Sequence, residues 1–127
     1  MVLTYKQNAI MENSLNEILS AKNEMVKQGQ IVEATEKYFS SQAKTVDFDG
    51  TVTNSKSEMI GKMKGLSNAI AKVNRIALHH VSLNENVSFA EFTFDFDMID
   101  GGKVLWHEIV RSVWKGGQIV EEQYFKA

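Results

Sequence analysis

Four side chains near the C-terminus have the types and spacing that could do chemistry: His107, Arg111, Glu122 and Tyr124. Histidine can shuttle a proton near neutral pH. A carboxylate beside a cation in an apolar cavity keeps its charge, and the cation could instead orient an anionic substrate. On one face of a sheet these side chains would form a ligand-binding site, with His107 and Glu122 as candidates for catalysis. The alternative is a cross-strand ion pair of Arg111 with Glu122, with His107 at the rim.

The stretch from 87 to 125 must position these groups, and its pattern predicts three antiparallel strands joined by glycine turns. Alternation of apolar and polar residues is typical of a half-buried strand, and here the apolar set is Phe92, Phe94, Phe96 and Met98. The pairs Gly101–Gly102 and Gly116–Gly117 suit two-residue hairpin loops, since a type I′ turn needs positive φ at both central positions.

Two-residue loops fix the register and therefore the face of each side chain. Counting back from each turn places Phe96 opposite His107, Phe94 opposite Ile109, Arg111 opposite Glu122, and Ile109 opposite Tyr124. Apolar walls with a few convergent polar groups are typical of a ligand pocket. The predicted ligand-binding residues are therefore His107, Arg111, Glu122, Tyr124, Phe94, Phe96 and Ile109. An error of one residue in either loop would exchange the two faces.

The opposite face of the predicted sheet carries Trp106, Trp114 and Phe125 among several charged residues. Such a face is too aromatic for ordinary solvent exposure and too charged for a core. We therefore expect a homodimer that pairs through this outer face.

Two other groups have candidates for chemistry. Asp47 and Asp49 share a face of a short β-prone segment, and one of them could point into the cavity mouth, although aspartates before a glycine commonly form turns. His79 and His80 are adjacent on a strand and should point to opposite faces, so one of them is expected to face the cavity. No spacing motif supports a metal site, so none is predicted.

Composition narrows the function classes. The 127 residues suit a single domain, residues 1–127, and the net charge of −2 argues against a nucleic-acid or anionic-membrane surface. With no cysteine the chain has no thiol nucleophile and no cysteine-based metal site, and the cytoplasm is the expected location. The glycine pairs lie in hairpins and form no phosphate-binding loop, so no cofactor is expected.

The order of elements predicts the fold class. Helical spacing begins at Met11, Gly29 is a natural helix end, and a second helix follows it. Ser55 with Glu58 is a capping box for a third helix, before a strand over 73–83. We predict an α+β fold in which a curved antiparallel β-sheet packs against three N-terminal and central helices.

This order resembles the nuclear transport factor 2-like superfamily, particularly its SnoaL-like branch. The likeness rests on three stretches: GQIVEATEKYF, TVDFDG and SVWKGGQIVEEQYF. It implies a cone-shaped, cystatin-like fold and a dimer through the outer sheet face. It does not imply one function, since the fold hosts isomerases, cyclases, dehydratases and binders.

Ketosteroid isomerase, a member of this superfamily, needs a carboxylate base and an oxyanion hole of a tyrosine and a protonated aspartate. The resemblance places the tyrosine position on Lys22 and the aspartate position near Val110, and only the base has candidates, Asp47 or Asp49. Steroid isomerisation by that mechanism is therefore not expected. We predict a domain that binds a hydrophobic small molecule. The alternative is a cofactor-independent acid–base enzyme acting on a hydrophobic or polycyclic metabolite.

Overall fold

A computed structural model describes the backbone of residues 5–127 and the side chains of residues 14–127. The predicted side chain of Met11 in the first helical stripe lies outside these described side chains. The described elements, in chain order, are α1 (Tyr5–Lys27), α2 (Ile31–Tyr38), β1 (Phe39–Val46), β2 (Val52–Thr53), α3 (Lys56–Ala69), β3 (Ile70–Asn84), β4 (Val87–Met98), β5 (Lys103–Lys115) and β6 (Gln118–Lys126).

Local sequence signals set the helix ends. Gly29 ends α1 at φ +80°, and its N–H donates to the Val26 carbonyl at 2.9 Å. At the start of α3 the Ser55 Oγ accepts the Glu58 N–H at 3.1 Å, while the Glu58 carboxylate accepts the Asn54 N–H at 3.1 Å. The glycine helix end and the capped start of α3 are both confirmed.

The strands form one sheet in the order β2-β1-β6-β5-β4-β3. All neighbouring pairs are antiparallel except β1 and β6, which run parallel, so the sheet is mixed. Buried side chains of the helices, such as Leu19 and Met59, pack with Trp114 and Ile119 of the sheet. The helices thus cover one face of the sheet, which we call the inner face, and the α+β fold class is confirmed.

The β4–β5 register differs from the predicted one. The connection spans Ile99 to Gly102, twice the predicted two residues. It is closed by the Met98 N–H donating to the Gly102 carbonyl at 2.9 Å and the Gly102 N–H donating to Asp100 Oδ1 at 2.8 Å. Lys103 consequently pairs with Asp97. The register is shifted by an odd number of residues from the prediction, which exchanges the two faces of β5.

The β5–β6 hairpin matches the prediction at its turn and departs from it further along. Gly116 and Gly117 have φ of +60° and +78°, and Lys115 pairs with Gln118 as two-residue loops require. Beyond Trp114, which pairs with Ile119, the register shifts by one residue at a bulge, so that Ser112 pairs with Glu122 and Val110 with Tyr124.

Trp114 belongs to the core, and its prediction as a dimer-surface residue was wrong. Its side chain is 2% exposed and meets the Tyr38 ring edge-on at 6.3 Å. The indole N–H donates to Ser88 Oγ at 2.9 Å, which satisfies its only polar atom. Trp106 was also assigned to the wrong face, since it lines a cavity on the inner face. Phe125 pairs with Ile109 on the outer face and is 39% exposed.

Candidate ligand-binding site

A cavity of about 300 Å³ lies between the three helices and the inner face of the sheet. Its volume is at the lower end of the range for small-molecule pockets. The sheet contributes aromatic walls from Phe92, Phe94, Phe96 and Trp106, and the helices contribute aliphatic side chains such as Val26 and Leu66. The alternation on β4 explains the sheet wall, because the even positions all point towards the helices. Phe94 and Phe96 thus lie where the sequence predicted.

Glu122 is the centre of a buried polar network at this cavity. Its Oε1 accepts the Tyr124 hydroxyl at 2.6 Å, and its Oε2 accepts the Ser112 hydroxyl at 2.7 Å. Lys22 on α1 places its Nζ 3.4 Å from Oε2, and both side chains of this pair are at least nine-tenths buried. Every partner donates, so both oxygens of the Glu122 side chain accept hydrogen bonds.

Tyr124 is a hydrogen-bond donor in this network. Burial raises the pKa of its phenol well above 10, and the neighbouring Glu122 charge raises it further. The phenol therefore stays neutral and protonated across the physiological range, and its hydroxyl keeps donating a hydrogen bond to Glu122 Oε1.

Glu108 is the carboxyl group of the cavity that lacks such partners. It lies on the inner face of β5, opposite Phe92 on β4. The pKa of Glu108 is raised to about 7, mainly by burial and then by the neighbouring Glu122 charge. The Lys22 charge lowers this pKa, and the Asp47 charge makes a smaller contribution that raises it. Among the described side chains, none donates a hydrogen bond to Glu108 or forms an ion pair with it. The group can therefore give or accept a proton near neutral pH.

Asp47 lines the cavity in an ion pair with Lys62 of α3. The Asp47 and Lys62 side chains are 26% and 36% exposed, which places this pair nearer the solvent than the Lys22–Glu122 pair. Asp49 instead closes a turn, where its Oδ1 accepts the Thr51 N–H at 2.9 Å. That hydrogen bond lowers the pKa of Asp49. Of the two aspartates considered as a base, only Asp47 reaches the cavity.

His107, Arg111 and Ile109 lie on the outer face, so their predicted place in the pocket was wrong. His107 Nε2 is 2.6 Å from Glu91 Oε2, and Arg111 Nη1 is 3.9 Å from Glu121 Oε1. The cause is the longer β4–β5 connection, which turns the odd-numbered residues of β5 away from the helices. The predicted cross-strand pair of Arg111 with Glu122 does not form.

Both His79 and His80 also reach the outer face, so the prediction that one faces the cavity was wrong. The register shifts between Leu78 and His80, and this bulge breaks the alternation. His79 Nε2 is 2.7 Å from Thr93 Oγ1, and His80 Nε2 is 4.0 Å from Glu91 Oε1. Within the described part of the chain, no three His, Asp or Glu side chains are arranged to hold a metal ion.

The cavity residues missed from the sequence include Lys22, Trp106 and Glu108. Ser112, which donates a hydrogen bond to Glu122, was missed as well. A signal for Lys22 existed, since it stands three residues after Leu19 and four before Val26, inside the apolar stripe of α1. A charged residue in such a stripe needs a buried partner. Trp106, Glu108 and Ser112 are even-numbered residues of β5 and therefore lie on the same face of that strand. Only the correct length of the β4–β5 connection would have placed that face towards the helices.

No protein-family model and no curated relative matches this chain. Within residues 5–127, no helix is long and apolar enough to cross a bilayer.

Several solved structures are similar to this chain over most of its length. A protein from Mesorhizobium loti assigned to the SnoaL-like polyketide cyclases is 24% identical, with a TM-score of 0.76 over 87% of this chain and 97% of its own. A Catenulispora acidiphila protein with a ketosteroid isomerase-like fold, in complex with trimethylamine, is 14% identical with a TM-score of 0.71 over 87% and 85%. TerC, co-crystallised with polyporic acid, is 8% identical with a TM-score of 0.69 over 89% and 91%. This chain therefore has the nuclear transport factor 2-like fold, the architecture of the SnoaL-like polyketide cyclases.

Proposed function

We propose that residues 1–127 form a single domain that binds a small, largely apolar molecule in the cavity between the helices and the sheet. The observation that carries this proposal is the cavity itself, about 300 Å³ in volume with mainly aromatic and aliphatic walls. Proteins of the same fold have been crystallised with trimethylamine and with polyporic acid, which supports a ligand-binding role. A cytoplasmic location stays a prediction.

The residues proposed to contact the ligand follow from the lining. From the sequence-based set we keep Phe94, Phe96, Glu122 and Tyr124, and we replace the three outer-face residues with Trp106 and Glu108. The aromatic side chains would supply apolar contact area, and Glu108 would supply the polar group that is free to meet a ligand. Glu122 would act mainly by holding Tyr124 and Lys22 in place.

Binding can be tested with 2-naphthol, a small aromatic probe, by calorimetric titration. Val110 lines the cavity and Val113 lies on the outer face of the same strand. We expect saturable binding that Val110→Phe abolishes by filling the cavity and that Val113→Phe leaves intact. Leu66→Trp, at a half-buried lining position on α3, should also block the probe if Val110→Phe does not fold. Undiminished binding in a folded blocking variant would place the probe elsewhere and contradict the proposal.

A second candidate function is cofactor-independent acid–base catalysis, and Glu108 is the observation that favours it. A carboxyl group with a pKa of about 7 and no described partner is matched to proton transfer at neutral pH. It would take a proton from a carbon next to the carbonyl group of a bound substrate and return it elsewhere. Hydrogen–deuterium exchange of 2-tetralone, followed by NMR, would detect this step. Glu108→Gln should abolish the exchange and keep 2-tetralone bound, whereas exchange that survives would exclude Glu108 as the base.

We further propose that two copies pair through the outer face of the sheet. Three exposed apolar side chains lie there: Phe89 at 41%, Leu105 at 65% and Phe125 at 39% exposure. Exposed apolar side chains on a sheet face favour association with a second surface. Trp106 and Trp114 make no part of this proposed interface, since both lie on the inner face.

A further inference from the structure

The charged groups of the cavity do not balance. Its lining has three carboxyl groups, on Asp47, Glu108 and Glu122, and two amines, on Lys22 and Lys62. Each amine is already paired, Lys22 with Glu122 and Lys62 with Asp47. Glu108 is the carboxyl group left over, and the remaining titratable side chain of the lining, Tyr124, is neutral.

Lys126 is the other cation to consider, because it pairs with Glu108 in the β5–β6 register. Its ammonium lies 4.7 Å from the centre of the Phe48 ring. That contact directs the Lys126 charge onto an aromatic face, and the pair Lys126–Glu108 does not come within ion-pair distance. The charge of Glu108 is therefore unmatched by any described side chain.

Aromatic rings stand beside this unmatched carboxyl group. Phe92 lies directly opposite Glu108, and Phe94 lies opposite Trp106. The Phe96 and Trp106 rings meet edge-on at 6.4 Å. Aromatic faces attract cations, most strongly away from water, and a carboxylate next to them adds a direct ionic partner.

We propose that the ligand of this cavity is an apolar molecule with one positive charge, an amine or quaternary ammonium, held between Glu108 and the aromatic wall. This inference rests on the proposed binding function and adds the charge of the ligand to it. An anionic ligand would meet an unpaired carboxylate and two lysines that are already engaged. A neutral ligand would leave Glu108 to bury its charge alone or to take up a proton.

A cationic ligand makes binding depend on pH in a defined direction. The charges of Lys22 and Lys62 balance those of Glu122 and Asp47. The negative charge left to pair with a cationic ligand is therefore that of ionised Glu108. Below the pKa of Glu108, which is about 7 in the free protein, binding must release a proton. The affinity therefore falls about tenfold for each pH unit below that pKa and levels off above it.

The test compares two probes of one shape, phenyltrimethylammonium and the neutral tert-butylbenzene, by calorimetric titration at pH 5.5 and pH 8. Neither probe titrates, so a pH effect reports on the protein. We expect the cation to bind about tenfold or more tightly than the neutral probe at pH 8, and to lose this advantage at pH 5.5. Glu108→Gln should remove the preference and its pH dependence while tert-butylbenzene still binds. The matched control Glu121→Gln removes a carboxylate from the outer face of the same sheet. It should change neither the preference for the cation nor the pH dependence of that preference.

The outcomes separate this inference from the function it rests on. Binding of tert-butylbenzene with equal or weaker binding of the cation at pH 8 would overturn the cationic ligand and leave the binding function standing. A preference for the cation that persists in Glu108→Gln would overturn the assigned role of Glu108. If neither probe binds, both proposals fail together.

Discussion

Replacing Glu108 with glutamine should stabilise the protein at pH 8 and leave its stability unchanged at pH 4.5. The pKa of Glu108 rises from 4.5 to about 7 on folding, mainly because the carboxyl group is buried. One pKa unit corresponds to 1.36 kcal/mol, so ionised Glu108 costs the folded state about 3 kcal/mol of unfolding free energy. Glutamine has the shape of the protonated acid and carries no charge, so the variant avoids this cost.

The direction of the pH dependence follows from proton binding. Between pH 4.5 and 7 the unfolded chain has lost the Glu108 proton and the folded protein still holds it. The folded state then binds more protons, so the unfolding free energy falls as pH rises through this window and is level above it. Below pH 4.5 both states are protonated, and the wild type and the variant should be equally stable.

Urea unfolding of the wild type and Glu108→Gln at intervals from pH 4.5 to pH 8.5 measures this effect. Subtracting the two curves removes the contributions of the histidines and the other carboxyl groups, which both proteins share. A difference of about 3 kcal/mol corresponds to a midpoint shift of more than about 1 M urea. The control Glu121→Gln should differ from the wild type by a constant amount. A difference for Glu108→Gln that does not change with pH would refute the burial of this charge.

Three further predictions concern other parts of the molecule. Glu122→Ala leaves the Lys22 charge buried without its partner and should lower the unfolding free energy by about 3–5 kcal/mol in urea titrations. Ser88→Ala leaves the buried Trp114 indole N–H unpaired and should cost about 1–3 kcal/mol by the same measurement. Leu105→Lys places a charge on the proposed dimer face and should convert the dimer to a monomer in sedimentation velocity runs, with stability changed by less than about 0.5 kcal/mol.

Each of these substitutions has a matched control on the same molecule. Glu121→Ala and Ser82→Ala alter exposed or half-exposed side chains of the outer face and should be nearly neutral. Ile99→Lys changes an apolar residue that is 68% exposed in the β4–β5 connection and should leave the oligomeric state unchanged. If Glu122→Ala and Ser88→Ala lower the unfolding free energy no more than their controls do, the predicted roles of Glu122 and Ser88 are wrong. A wild type that sediments as a monomer would contradict the proposed dimer.

Much of the fold could be predicted because its signals are local. A glycine at positive φ ends α1, and a serine hydroxyl caps α3, each through contacts within a few residues. The strand β4 could be assigned to a face because its apolar and polar residues alternate from Ala90 to Met98. The parallel pairing of β1 with β6 was not predicted, since it joins segments far apart in the chain.

The composition of β5 explains why its face could not be predicted in the same way. Its two faces carry similar mixtures, with Trp106 and Glu108 on one side and His107 and Ile109 on the other. Burial of apolar area therefore favours neither face from the sequence alone. The register depended on the length of the β4–β5 connection, and the hydrogen bond from the Gly102 N–H to Asp100 that closes it is a detail of the loop.

Glu122 and Tyr124 were nevertheless assigned to the correct face, and the reason is physical. The longer β4–β5 connection reverses the parity of β5, and the bulge after Trp114 reverses the parity of β6 relative to β5. The two reversals cancel. Glu122 and Tyr124 of β6 therefore lie on the same face of the sheet as they would if both loops had two residues and β6 had no bulge. The cavity therefore takes its acid–tyrosine pair from β6 as predicted, while its partners come from the other face of β5. Removing the bulge alone would turn Glu122 away from Lys22, and the buried ion pair therefore depends on that one extra residue.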